Sequence, residues 1–284
     1  MPVSHNNTKS FNQANEEGFT LIELSIVLVI IGLIVGGILT GQDLIKAAEQ
    51  RATIAQIEKY NTAVNTFRNK FGGIPGDLTA ASATSFGIDG AVGFTGAAGI
   101  GDGNGLIEGS GGSGATKFIG EPAMFWLEMS QASLVDGSFV PAANITNAGV
   151  TTATSGSVPV STYLPLAKLG RGNYITVGSA NGINYYAIAG ITSITAAGVY
   201  TATNNMNAQE SYNIDKKTDD GIPTTGSVFA LDAATTALNA AGGFTTGSLV
   251  YTSSTAGCVN SATTPTAYDL TATNPACSLR VRFN

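Results

Sequence analysis

Residues 18–37, GFTLIELSIVLVIIGLIVGG, form an almost uninterrupted apolar segment that carries a single charged side chain, Glu23. As a helix, residues 19–40 would extend roughly 33 Å, which is enough to cross a hydrocarbon core of about 30 Å. A charged carboxylate inside such a helix costs about 2.5 to 3.5 kcal/mol on insertion scales. The sequence therefore predicts one membrane-spanning helix in which Glu23 either lies at the wet headgroup level or has a partner.

The segment before this helix does not look like an ordinary secretory signal. Residues 1–18 are polar, lack an apolar stretch of their own, and end in Gly18 directly before the apolar run. A secretory signal carries its apolar run before the cleavage point, not after it. This order indicates a polar leader over residues 1–18, with the apolar helix retained in the mature chain.

Residues 18–23, GFTLIE, resemble the cleavage motif of the type IV pilin and pseudopilin family. The resemblance implies that a prepilin peptidase cuts between Gly18 and Phe19 and that the new amine of Phe19 is N-methylated. It also implies that Glu23 pairs with the Phe19 amine of a neighbouring subunit. The leader departs from the family pattern, which is usually basic, because it has Lys9 against Glu16 and Glu17.

The long helix is expected to continue beyond the membrane segment as an amphipathic helix over residues 41–71. Its expected face follows steps of mostly three and four residues, through Leu44, Ala47, Ala48, Arg51, Ile54, Ala55, Ile57, Tyr60, Val64, Phe67 and Phe71. Gly72, Gly73 and Pro75 predict the end of the helix. The expected fold is α+β, with this helix packed against a C-terminal antiparallel β-sheet in a head formed by residues 72–284.

Within the head, the sequence predicts one more helix, several strands and a long loop. EPAMFWLEMSQASLVDGSF (residues 121–139) reads as the second helix, in which Trp126 is expected to be a core residue rather than a ligand platform. YITV, NYYAIAG and GVYTAT read as strands. Residues 82–116 are rich in Gly without periodicity, which predicts a long loop.

Two glycine-rich segments after the long helix contain acidic or amide side chains. In GGIPGDL (residues 72–78), Asp77 is expected to satisfy a loop or helix-start amide, which is a structural role. In GDGNGLIEG, the oxygens of Asp102, Asn104 and Glu108 suit Ca²⁺, but the spacing fails the EF-hand pattern, so a solvated turn is the preferred interpretation.

The segment SYNIDKKTDDGIPTTGSV (residues 211–228) contains the residues of the main metal-site hypothesis. Asp215, Asp219 and Asp220 stand close together in it. Because some pseudopilins hold Ca²⁺ in a loop of the C-terminal head, the resemblance implies a Ca²⁺ site here. The preferred alternative is an exposed turn in which Lys216 and Lys217 offset the acids. No other cofactor is expected.

Cys258 and Cys277 are the only cysteines in the chain. In an oxidising compartment such a pair most simply forms one disulfide. Their position near the C-terminus resembles the disulfide-bounded region of many type IV pilins. A redox or metal role has no support, because neither C-x-x-C spacing nor histidine partners are present.

Composition argues against nucleic-acid binding and catalysis. The formal net charge is −6 and only 11% of residues are charged, so no basic patch for nucleic acid is expected. The single histidine, His5, lies in the leader, and no nucleophile or P-loop signature is present. The chain is therefore not expected to be an enzyme.

The sequence thus predicts a filament subunit of a type IV pilus or a type II secretion pseudopilus. Thr40 stands where major subunits often carry proline, which favours a minor or atypical subunit. The implied partners are other pilin subunits, the prepilin peptidase, an inner-membrane assembly platform and the bilayer. The expected location is the bacterial inner membrane, single-pass with an extracytoplasmic head, and then a periplasmic or cell-surface filament. The alternative is a membrane-anchored recognition module whose head binds a surface, a glycan or a secreted substrate.

Overall fold

The architecture is taken from a computed structural model. It describes residues 19–88, 101–108, 118, 120–139, 159–194, 200–231, 257–260 and 267–283. The helices are α1 (Leu21–Phe71), α2 (Ala80–Phe86), α3 (Glu121–Gln131) and α4 (Ala208–Thr218). The strands are β1 (Asn173–Ala180), β2 (Ile183–Ile194), β3 (Tyr200–Thr203), β4 (Val228–Leu231), β5 (Val259–Asn260), β6 (Ala267–Tyr268) and β7 (Ser278–Phe283). The chain divides into two compact units, residues 1–46 and residues 47–284.

Helix α1 ends at Phe71, where the sequence predicts its end. Gly72 has a φ of 77°, and its N–H donates to the Arg68 carbonyl at 2.9 Å, which is an αL helix ending that favours glycine. The buried face of the C-terminal half is formed by Gln50, Thr53, Ile57, Tyr60, Ala63, Val64, Phe67 and Phe71.

This face differs from the predicted one at its N-terminal end. Leu44, Ala48, Arg51 and Ala55 are exposed. The buried positions start at Gln50 and advance mostly by three or four residues. Arg51 and Ala55 lie off this buried stripe because each helical residue turns by about 100°. The prediction extended the face too far toward the membrane segment.

The head contains a five-stranded antiparallel sheet with the order β1-β2-β7-β4, in which β3 also pairs with β2. A separate two-stranded sheet joins β5 to β6. The three predicted strand segments correspond to β1, β2 and β3. Asn181 and Gly182 connect β1 to β2 with φ values of 52° and 73°, which suits the two-residue hairpin turn that Asn-Gly favours.

An aromatic cluster fills the core between α1, α3 and the sheet. Trp126 is fully buried, and its ring lies 4.9 Å from that of Tyr60 and 6.4 Å from that of Tyr186. The Tyr186 ring lies 4.4 Å from that of Phe283 on β7. Trp126 is thus a packing residue, as predicted, and the C-terminal half of α1 packs against the sheet through Tyr60.

Two predicted boundaries were wrong. The long loop predicted for residues 82–116 overlaps α2, where the Thr79 hydroxyl accepts the Ser82 N–H at 3.3 Å and so caps the helix. Helix α3 ends at Gln131 rather than continuing to residue 139. Ser133 takes a φ of 56°, which a continuing right-handed helix does not allow.

Candidate functional site

The first site is the start of α1, where Thr20 and Glu23 are linked. The backbone N–H of Thr20 donates to Glu23 Oε2 at 2.8 Å, and the Thr20 hydroxyl donates to the same oxygen at 2.7 Å. The Glu23 N–H in turn donates to the Thr20 hydroxyl at 3.3 Å. This reciprocal arrangement is a capping box. Within the described residues, the other carboxylate oxygen of Glu23 accepts no hydrogen bond.

The apolar side chains of the N-terminal half of α1 are exposed around the whole circumference of the helix. Every large apolar side chain between Phe19 and Leu39 is at least half exposed. Outside the helix's own backbone, a Cβ placed on Gly32, Gly36, Gly37 or Gly41 would meet no atom of the described residues within 4 Å. Of the described helices, α1 is the one long and apolar enough to cross a membrane, with a mean hydropathy of 2.7 in its most apolar window. A surface this apolar requires lipid or other helices around it.

The architecture and the N-terminal site together define a class of protein. A long N-terminal apolar helix followed by a C-terminal antiparallel sheet is the α+β arrangement of a pilin-like protein. The family model described as the prokaryotic N-terminal methylation motif matches residues 13–39, which include Gly18, Phe19 and Glu23. This motif is the prepilin leader signature of type IV pilins and pseudopilins, so the start of the chain is similar to theirs, and the motif indicates a structural role.

Comparison with curated proteins and with solved structures gave no match. The family match covers the end of the leader and nearly all of the membrane segment, whereas the head lies outside it. Gly18 itself lies outside the described residues. The peptidase cleavage, the methylation of Phe19 and the pairing of Glu23 therefore stay predictions.

The second site is the group of aspartates predicted as a metal site. Asp215, Asp219 and Asp220 each place a carboxylate oxygen within 4.8 Å of the others. Asp219 Oδ2 accepts the N–H groups of Ser227 and Val228. Asp220 accepts hydrogen bonds from the Ile222 N–H and the Thr225 hydroxyl. The structure brings the three predicted residues together, and carboxylates this close suit a hard cation.

The preferred alternative, an exposed turn, was wrong for Asp215. This residue lies on α4 and is fully buried, with its Oδ2 accepting the Tyr268 hydroxyl at 2.8 Å. Burial raises the pKa of Asp215 to about 6, although the hydrogen bond from Tyr268 opposes the increase. Within the described residues, Lys216 donates to Tyr212 rather than to these acids.

Helix α4 was missed because its residues are mostly polar. Its signal is local: Asn207 Oδ1 accepts the Glu210 N–H at 2.8 Å, and Glu210 Oε2 accepts the Asn207 N–H at 3.1 Å. This capping box, N-x-x-E, is readable in the sequence. It starts the helix that carries Asp215 into the core.

The third site is a second acidic cluster that the sequence did not predict. Asp77, Asp102 and Glu121 place carboxylate oxygens within 4.8 Å of one another. Asp77 lies in the turn after α1, Asp102 in the 101–108 loop, and Glu121 at the start of α3. Asp77 accepts the N–H groups of Gly103 and Gly105, each at 2.7 Å, which confirms that it satisfies loop amides.

The loop of this cluster is fastened to the sheet by Asn184 on β2. The Asn184 side chain accepts the Ile107 N–H at 2.9 Å and donates to the Gly105 carbonyl at 2.9 Å. The interpretation of GDGNG as a solvated turn is right for the exposed side chains of Asp102 and Asn104, but the loop backbone packs into the head.

The acidic side chains in and near this cluster have raised pKa values because they are buried. Burial raises the pKa of Glu121 to about 8, and the charge of Asp77 adds to the increase, although the N–H of Glu108 opposes it. Burial likewise raises the pKa of Glu128 to about 8 against the hydrogen bond from the Gly76 N–H. Burial also raises the pKa of Asp77 above its usual value.

Cys258 and Cys277 form a disulfide, and their Cα atoms lie 5.2 Å apart. Both residues are fully buried, and Cys277 pairs with Met206 in an isolated antiparallel bridge. The bond ties the β5 region to the beginning of β7.

Replacing both cysteines by serine is expected to lower the free energy of unfolding by about 3 kcal/mol, because the unfolded chain regains the entropy of the open loop. Denaturant unfolding of the detergent-solubilised chain under non-reducing conditions measures this loss. Equal free-thiol titres of the native protein with and without reductant would show that the bond is absent.

Proposed function

We propose that this chain is a structural subunit, minor or atypical, of a type IV pilus or type II secretion pseudopilus. The observation that carries the proposal is the methylation motif over residues 13–39, which includes the exposed apolar start of α1. An exposed apolar helix that starts at a cleavage site provides both a membrane anchor before assembly and a packing surface afterwards.

Assembly in this proposal depends on the compensation of one charge. Cleavage after Gly18 creates a cationic amine on Phe19, next to the exposed start of α1. Glu23 has one carboxylate oxygen held by Thr20, while its second oxygen is open to an ammonium group of another subunit. Because a lone charge in an apolar environment is expensive, pairing the two groups between subunits favours the filament over the dispersed monomer.

The glycines of α1 support close packing between subunits. Gly32, Gly36, Gly37 and Gly41 occur at G-x-x-x-G spacings, and no other side chain among the described residues packs on them. Small residues at this spacing let helices approach closely. The proposal assigns this surface to contacts with neighbouring subunits.

The disulfide supports an extracytoplasmic head. Cys258 and Cys277 are bonded, and disulfides persist in oxidising compartments outside the cytoplasm. We therefore place residues 19–40 in the inner membrane before assembly, with the leader on the cytoplasmic side. The implied partners are further pilin subunits, the prepilin peptidase and the assembly platform.

Replacing Gly18 by valine tests this function. The bulky side chain at the cleavage point is expected to block the peptidase, so the chain accumulates as a precursor in the inner membrane and is absent from the filament fraction. Immunoblotting of membrane and sheared-filament fractions measures both forms. Gln13→Ala, also in the leader, is the matched control and should be processed normally. Incorporation of the Gly18→Val chain in wild-type amounts would contradict the proposal.

The Asp215, Asp219 and Asp220 cluster supports Ca²⁺ as a structural ion of the head. Carboxylate oxygens are the ligands that Ca²⁺ prefers, and the observed separations allow a shared ion. In this proposal the ion would join the C-terminal end of α4 to the loop before β4.

The recognition alternative is favoured by a cleft in the head. The cleft has a volume of about 560 Å³, and Lys59, Tyr60, Asp136 and Lys168 line it together with several apolar side chains. Its size is in the range of ligand pockets. Filaments that assemble normally but lose attachment when exposed Lys168 is changed to Glu would favour recognition as the main role.

A further inference from the structure

The cleft of about 560 Å³ lies at one flank of the head, between α1 and a segment that extends the sheet beyond β1. Leu166 pairs with Tyr174 of β1 in an antiparallel bridge, and β1 is the first strand in the order β1-β2-β7-β4. The Gln56 side chain of α1 donates to the Leu166 carbonyl at 3.0 Å and accepts the Lys168 N–H at 2.9 Å. These contacts hold the walls of the cleft in fixed positions.

The charged side chains of the cleft carry a net positive charge. Lys59 and Lys168 line it, and Asp136 is the acid that lines it among the described residues. The hydrogen bond and charge of Lys59, together with the charge of Lys168, hold the pKa of Asp136 below its usual value. Because Asp136 pairs with Lys59, Lys168 has no ion pair of its own within the described residues. The whole chain has a formal net charge of −6, so a cationic cleft suits an acidic partner.

The cleft also has an apolar wall and a hydroxyl donor that is not used. Leu164, Pro165 and Leu166 form the apolar wall. Tyr60 lines the cleft and is only 7% exposed. Its hydroxyl accepts the Gln56 N–H at 2.9 Å, and within the described residues it donates to no acceptor. Since a buried donor without an acceptor is unfavourable, the partner should combine an acidic oxygen with an adjacent apolar side chain.

Large apolar side chains are exposed at three places in the described part of the head. They are Phe86 at 50%, Leu166 at 47% and Leu270 at 48%. Leu166 belongs to the cleft itself. Phe86 lies against Phe71, whose ring also faces the Lys70 ammonium group. The charge nearest to Phe86 is therefore a cation, which the lysines of the cleft would repel.

Leu270 is the exposed apolar residue that has an acid beside it. It follows Asp269 in the turn after β6. Asp269 Oδ1 accepts the Thr271 N–H at 3.1 Å and the Thr271 hydroxyl at 2.5 Å, which holds the turn. Within the described residues, Asp269 Oδ2 accepts no hydrogen bond. This turn therefore has both features that the cleft requires of a partner.

The Asp269–Leu270 turn and the cleft belong to opposite edges of the sheet. Tyr268 of β6 donates to Asp215 of α4 at 2.8 Å, and Asp219 after α4 accepts the Val228 N–H of β4 at 3.3 Å. The turn is thus tied to β4, whereas the cleft adjoins β1, at the other end of the strand order. Adjacent strands are spaced by about 4.8 Å, so a contact between these two flanks joins two different chains.

We propose that the Asp269–Leu270 turn of one subunit docks into the cleft of a second copy, with Asp269 meeting Lys168 and Leu270 covering Leu166. The inference rests on the proposed filament role and names the surfaces through which two heads join. Because the two surfaces differ, the contact is heterologous. A heterologous contact extends into an open filament when its rotation does not close a ring.

Charge reversal at both surfaces tests the contact in the full-length chain. Lys168→Glu and Asp269→Lys, each alone, should lower the filament-to-membrane ratio about tenfold, because each brings like charges together. The double variant should return to near the wild-type ratio, since it restores the pair with reversed signs. Lys70→Glu is the matched control, because it reverses an exposed lysine outside the cleft, and it should assemble as wild type does.

A milder pair of variants keeps the test valid if a charge reversal disturbs folding. Asp269→Asn retains the acceptor oxygen for Thr271 and removes only the charge. It should lower the ratio about threefold in the wild-type background and leave it unchanged in the Lys168→Gln background, because the partner charge is already missing there. A substitution that only weakened the head would lower the ratio in both backgrounds.

The proposal is overturned if the single reversals enter filaments as wild type does, or if the double variant assembles no better than either one. Normal filaments of Lys168→Glu that lose attachment would also overturn it, because the cleft would then hold an external ligand. Each of these results leaves the proposed subunit role intact, since wild type still enters filaments. Absence of the wild-type chain from filaments would instead contradict both proposals.

Discussion

Substitution of Glu23 by glutamine is expected to remove the chain from filaments while leaving it anchored in the membrane. The variant keeps the shape of the side chain and its hydrogen bonds to Thr20 but loses the charge that the proposal pairs with a neighbour's Phe19 amine. Leaving one charge of a buried pair uncompensated costs about 3 to 5 kcal/mol. Incorporation should therefore fall by more than about 100-fold, since 1.4 kcal/mol corresponds to a factor of ten.

The ratio of filament-associated to membrane-associated protein, measured by immunoblotting after shearing, reports this effect. Asp43→Asn is the matched control, because it removes an exposed acid from the same helix without touching the N-terminal pair. Membrane extraction should show that both variants insert normally. If Glu23→Gln enters filaments as efficiently as wild type, charge pairing is not what drives assembly.

The stability of the head is expected to fall as pH rises from about 5 to 8 when divalent ions are chelated. Glu121 and Glu128 have folded-state pKa values raised to about 8 by burial, against 4.5 in the unfolded chain. Between these values the folded state holds protons that the unfolded state has lost, so unfolding is favoured as pH rises. One such group contributes a slope of about 1.4 kcal/mol per pH unit at most.

Glu128→Gln is expected to reduce this slope and to raise the free energy of unfolding at pH 8 by on the order of 2 kcal/mol. The amide oxygen of glutamine retains the hydrogen bond from Gly76 without the cost of ionisation. Denaturant midpoints at a series of pH values measure the effect, with exposed Glu58→Gln as control. A flat wild-type profile, or an unchanged profile in Glu128→Gln, would show that Glu128 is not a buried acid.

The long N-terminal helix was predictable because its signals are local. Each of its signals lies within a few residues of the structure that it predicts. These signals are the apolar run, the spacing of three or four residues through Ile57, Tyr60 and Val64, and the glycine after Phe71. The strands β1 and β2 were similarly visible as apolar and aromatic runs on either side of Asn181 and Gly182.

Prediction was weaker where polar residues form helices. Helix α4 carries few apolar residues and was missed, although its capping box was present in the sequence. Helix α3 ends earlier than predicted because Ser133 adopts a positive φ. A serine in the sequence does not predict this conformation. Helix α2 lies in a segment whose composition resembles a loop.

The cluster of Asp77, Asp102 and Glu121 could not be predicted for a different reason. Asp77, Asp102 and Glu121 come from a turn, a loop and a helix start, and only the folding of the head brings them together. Glu128 is next to Trp126, Leu127 and Met129 in the sequence. An acid beside expected core residues was the available sequence signal of a buried carboxylate. The Asp215 cluster was easier to predict because its members are neighbours in the chain.

The most direct test of the central claim is the N-terminus of the protein extracted from membranes. Intact-mass measurement combined with N-terminal peptide sequencing identifies both the first residue and any added methyl group. The account predicts a chain that begins at Phe19, with one methyl group on its amine. A chain that begins at Met1, or at any residue other than Phe19, would contradict it.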